Sequence, residues 1–137
     1  MAGKIVAYQR RQAMTILRSV FAVLIGYLVF ALSGFALFRI SGHDPHSSDS
    51  LSFMIVSVVY GAFFAALAGF LAALIGGRFE IEHSLAVAAL IAAVGAASLL
   101  MSASGSSVWT QIAALLVMAP TAMGGGFLRS RMIHRTE

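Results

Sequence analysis

Charge is what this chain has least of. Five of its 137 residues are Asp or Glu and nine are Lys or Arg. They fall at the termini and in two loops, leaving four long apolar stretches with none inside. A charged side chain at the centre of a bilayer costs about 3 kcal/mol or more, so this spacing reads as four transmembrane helices. The same shortage removes from the spans the carboxylates and basic groups on which most catalysis, proton coupling and metal binding depend. Cysteine is absent, which excludes a disulfide framework and a thiolate metal site. Of the two prolines only Pro120 lies inside a span, and Trp109 is the single tryptophan.

What is present is grease and small residues. Hydrophobic residues make up 60% of the chain, where an ordinary soluble domain has roughly half. Four all-apolar helices in a soluble protein would need a polar shell that this composition does not supply. The length leaves room for one compact bundle and no second domain. The expected fold is therefore an all-α polytopic integral membrane protein with four transmembrane helices in two hairpins.

Residues 1–17, with Lys4, Arg10 and Arg11 among apolar neighbours, form a basic cytoplasmic or interfacial segment. A single transmembrane domain follows over 18–128, with spans near 18–38, 51–76, 84–101 and 108–128. The first is about 31 Å long at 1.5 Å per residue, enough to cross a core of about 30 Å. Its apolar region is long for a signal peptide and no small-x-small site precedes Arg39, so a retained helix is expected. Residues 39–50 are the clearly polar loop, Arg78, Glu80 and Glu82 mark a tight one, and Ser102–Ser107 is a short turn around Gly105. Residues 129–137 are a basic tail.

Four spans place both termini on one side. That side carries Lys4, Arg10, Arg11, Arg18, Arg78, Arg129, Arg131 and Arg135, and the other only Arg39. Eight against one predicts cytoplasmic termini and argues against dual topology. It also explains the net charge of +4 by orientation, with anionic lipid as the expected partner and no nucleic acid.

The second span carries a small residue at every fourth position: Gly61, Ala65, Gly69, Ala73 and Gly77. Residues four apart share a helix face, and small ones let backbones approach closely where lipid offers no hydrophobic drive. Gly26 and Gly34 repeat the pattern more weakly in the first span, and the third span is rich in alanine from Ala86 to Ala97. These faces are expected to pack against other helices, within the bundle or in a partner. Trp109 and Gln111 begin the fourth span at interfacial depth, while Tyr27 and Tyr60 lie deeper and need polar partners such as Ser33, Ser57 or Ser98.

Pro120 lacks an N–H and crowds the carbonyl of Leu116, so a loosened helix is expected there, partly compensated by Thr121. Gly124, Gly125 and Gly126 follow, and the plain reading is that the span ends at them while Arg129 reaches the phosphates. Arg78, Arg129 and Arg131 are the expected headgroup contacts. His43, Asp44, His46 and Asp49 share the polar loop, but a short loop with Pro45 and several serines lacks the framework a metal needs. His83 lies at the entry of the third span and His134 in the tail, away from the mid-membrane depth of axial haem ligands. No metal, no cofactor and no catalytic constellation is expected, and the chain is read as non-enzymatic.

The segments GGRFEIEH and APTAMGGGFLR resemble those of small, uncharacterised bacterial four-helix inner-membrane proteins. The resemblance spans residues 18–131, implies a bacterial inner-membrane location and assigns no activity or site residue. The functional expectation is a structural, accessory or assembly subunit of a larger membrane complex, binding other integral membrane proteins or copies of itself. The alternative is a small homo-oligomeric channel or transporter, uncoupled because the spans hold no carboxylate.

Overall fold

The computed structural model describes residues 2–77, 79–102 and 106–133, with side chains from Val6 onward. The chain is all α. Helix α1 spans Ala2–Ser41, α2 Leu51–Gly76 and α3 Glu80–Met101. The fourth rod is composite: α4, Trp109–Ala113, passes through a π-helical turn at Ala114–Met118 into α5, Ala119–Ile133. These make four helical rods long and apolar enough to cross a membrane. Their outer surfaces are greasy, with Leu32, Phe35, Val59, Phe63 and Leu116 all more than half exposed. Such surfaces suit hydrocarbon rather than water.

At 40 residues α1 is about 60 Å long, twice the thickness of a bilayer core. Its N-terminal part is open to the surroundings, with Val6 to Leu17 all exposed. Ser50 caps α2 by accepting from the amide of Phe53. Between α2 and α3 the chain turns through Gly77 and Phe79, both at positive φ (76° and 65°). Glu80 and Glu82, which their charge assigns to the loop, sit in the first turn of α3, where the exposed amides of a helix start favour acidic groups.

The rods form a rhombus. Helix α2 packs on α1, α3 and α5, while α3 packs on α2 and α5 and more sparingly on α1. Between α1 and α3 a lateral cleft of about 460 Å³ opens beside Val20, Leu24, His83 and Ala86. The core is thin because it is built of small residues: Ala65, Ala68, Ala72, Val87, Ile91 and Ala122 are essentially inaccessible. Backbones rather than long side chains meet at its centre. A methyl at Gly69 would collide with the carbonyl of Ala122, and one at Gly125 with that of Ala66, so α2 and α5 lie nearly in backbone contact.

Candidate functional site

The small-residue face of α2 is occupied by the chain's own helices. Gly61 lies under the Met118 side chain, Ala65 and Ala73 are fully buried, and Gly69 meets Ala122. Gly77, beyond the helix end, faces the Arg18 guanidinium. On α1, Gly26 presses on α2: a Cβ there would stand 2.6 Å from the Ala68 carbonyl oxygen. Gly34 differs, because a Cβ there meets nothing within 4 Å, and the residue leaves space instead of closing a contact.

Pro120 falls in the first turn of α5, directly after the π-helical turn. It has no N–H to offer the Leu116 carbonyl, and the Thr121 hydroxyl lies 2.9 Å from the carbonyls of both Val117 and Met118. The helix does not stop at the glycines. It runs on to Ile133, with Gly125 set against Ala66 and Phe70 and Gly126 against Ser84. Gly124 is exposed, with open space around it.

At the end of the bundle that holds Gly77 and the start of α3, Arg78 lies outside the described residues, as do His134 and Arg135. Arg129 is half-buried, and its Nε has no hydrogen-bond partner. Arg131 is exposed and lies over the Phe127 ring at 4.4 Å. Arg18 carries a role that its position in the sequence does not announce. Its Nε donates to the Ile75 carbonyl at 2.7 Å, so a cation closes the C-terminal end of α2, where unpaired carbonyls concentrate negative charge. Antiparallel pairing of the first two spans is the signal that would have placed it there. His83 is also buried, its ring against Gly76, which has no side chain to obstruct it, and its Nδ1 lies 2.6 Å from the Phe79 carbonyl.

The opposite end is tied by a polar clamp. Asp44 and Pro45 set a turn in which the amide of His46 bonds the Asp44 carboxylate at 2.8 Å. The turn delivers loop groups to α4: Trp109 Nε1 donates to the Ser47 carbonyl, and the Thr110 hydroxyl lies 3.0 Å from the Pro45 carbonyl. The Gln111 amide, 3% exposed, lies 3.0 Å from His46 Nδ1 and 3.2 Å from the Ser98 hydroxyl. His43 goes elsewhere, stacked on Phe53 at 3.8 Å and 3.6 Å from Asp49. Thus the four loop residues of metal-ligand type divide between two tasks, and among the described residues no group of three such side chains converges. Tyr60 donates to the backbone carbonyl of Ser33 at 3.3 Å, not to a serine hydroxyl.

Among the described residues, one small-residue surface of α3 remains uncovered. Helix α3 buries His83, Ser84, Val87, Ala88, Ile91 and Gly95 on one side. On the other it exposes Ala89, Ala93 and Ala97, one per helical turn, flanked by Leu85, Leu90, Val94 and Leu100. Such a ridge lets another helix approach closely. Compared with known proteins, the chain matches no family model, no curated protein and no solved structure.

Proposed function

We propose that the chain is an accessory or assembly subunit of a larger membrane protein complex in a bacterial inner membrane. It carries no catalysis or cofactor of its own, and its four helices form two hairpins with both termini cytoplasmic. The observation behind this reading is the uncovered ridge of Ala89, Ala93 and Ala97. The α2 stripe that sequence suggests for association is spent on the chain's own helices, so the association surface of the proposal is α3. Anionic lipid headgroups complete the environment at the end where Arg18, Arg129 and Arg131 gather.

The test is to isolate the tagged protein from its own membranes in mild detergent, alongside Ala93→Leu. Position 93 is exposed, so the added bulk leaves the fold intact and blocks only close approach. The expected result is a fixed set of membrane proteins at constant stoichiometry with the native chain, lost at least tenfold with the variant. A native chain that purifies as a homo-oligomer and passes solute in liposomes would replace this reading with that of an uncoupled pore.

A further inference from the structure

A cavity of about 170 Å³ lies between α1, α2 and the α4–π segment, at the clamped end of the bundle. Its walls are aromatic, with Phe30, Phe38, Tyr60 and Trp109, and Met118 closes it over Gly61. One side chain in its lining is out of balance. Ser57 is 3% exposed and its hydroxyl has no hydrogen-bond partner. Other serines on these helices bond back one turn, Ser33 to Phe30, Ser84 to Ile81 and Ser130 to Phe127. Ser57 keeps its proton free, and a buried hydroxyl without a partner is costly.

The rest of the lining says what would satisfy it. The hydroxyls of Ser33 and Tyr60 donate to carbonyls of the chain, and that of Thr110 has carbonyl oxygens of Pro45 and Gln111 within reach. They therefore offer the cavity only acceptor lone pairs. Ser57 is the one uncommitted donor, and no lining residue is charged. The volume is several times the share of one water in the liquid, about 30 Å³. Gly34 lines the cavity, and the space its Cβ would enter is empty, so a larger side chain there would fill it.

We infer that this chamber binds a compact, neutral molecule with an apolar body and a single hydroxyl, of about the size of phenol. It is held by aromatic contact with Phe30, Phe38 and Trp109 and by hydrogen bonding at Ser57. The Ser57 oxygen is closed off from the open space as it stands, so the hydroxyl turns about the Cα–Cβ bond to donate to the ligand oxygen, and the ligand hydroxyl donates to a lining oxygen. This inference does not rest on the proposed subunit role.

Trp109, the only tryptophan in the chain, lines the chamber and reports its occupancy. Purified protein in liposomes would be titrated with 4-bromophenol, whose heavy atom quenches indole fluorescence. The expected result is saturable quenching, reversed by phenol, with 4-bromotoluene binding five- to tenfold more weakly, about what one hydrogen bond supplies. Ser57→Ala should weaken 4-bromophenol by a similar factor. Gly34→Leu, whose side chain starts in open space, should remove the saturable component without lowering the midpoint of thermal unfolding. Quenching that rises linearly with concentration in all three proteins is simple partitioning and overturns the proposal. Saturable quenching indifferent to both substitutions places the ligand elsewhere and overturns it equally. If Ser57→Ala does not fold, the Gly34→Leu arm alone decides between these outcomes.

Discussion

Glycine in this protein has two opposite uses, and the distinction yields a paired prediction. At Gly69 the nearest atoms to a new methyl are the carbonyl and Cα of Ala122. Backbone cannot rotate out of the way as a side chain does, so Gly69→Ala must push α2 and α5 apart. Overpacking ordinarily costs about 1–3 kcal/mol, and a backbone clash at the centre of a thin core should reach at least the upper figure. Gly124→Ala meets nothing within 4 Å and replaces a poor helix former, so stability should hold or rise by up to about 1 kcal/mol. Reversible unfolding in mixed micelles by increasing SDS measures both. Equal effects at the two positions would mean that the glycines serve composition rather than contact. Sequence periodicity shows that Gly61, Ala65, Gly69 and Ala73 share a face. It does not show which helix fills it, because Gly-rich faces look alike whether the partner is in the same chain or another.

At the scale of the element, the fourth rod shows where local rules hold and where packing overrides them. A proline at 120 removes the amide that would bond the Leu116 carbonyl, and the π-helical turn at Ala114–Met118 directly precedes it. Continuation of the helix through Gly124–Gly126 was not legible. Local preference favours an end at three glycines, yet Gly125 and Gly126 are the places where α2 and α3 come closest, and their packing outweighs the propensity. The same contest decides what Pro120→Ala does. An alanine could restore one backbone hydrogen bond, worth about 1 kcal/mol. Converting the π-helical turn to α would rotate α4 by one residue, about 100°, and pull Trp109 and Gln111 from the clamp. Several bonds outweigh one, so the variant should keep the wild-type emission maximum of Trp109 and stay within about 1 kcal/mol in stability. Gln111→Leu attacks the clamp itself, stranding His46 Nδ1 and the Ser98 hydroxyl. Its cost should be about 1–3 kcal/mol, with Trp109 emission shifted to the red. A red shift in Pro120→Ala instead would make the proline, not the clamp, what holds the irregular turn.

For the molecule as a whole, the most legible property was the number of membrane-length rods, because charge is expensive in hydrocarbon and stays out of the middle of each span. Their lateral arrangement was invisible for the same reason: interiors made of Ala, Gly, Val and Leu carry little information about neighbours. Sidedness belongs to the charges again. In the proposed orientation eight Lys or Arg lie on one side and Arg39 alone on the other, and moving the basic ends across the membrane would carry many charges against the direction that insertion favours. The native chain has no cysteine, so single cysteines can be placed in an unmodified background. Ser48 in the 42–50 loop and Gln9 on the free arm of α1 are both exposed. In intact spheroplasts an impermeant maleimide should label Ser48→Cys and spare Gln9→Cys, and inverted vesicles should reverse the pattern. Substituting Arg10, Arg11 and Arg18 together by Gln lowers the bias to five against one, which should still orient the chain. Comparable labelling of both positions in one preparation would show two orientations and remove the basis for assigning the arginine-rich end to the cytoplasm.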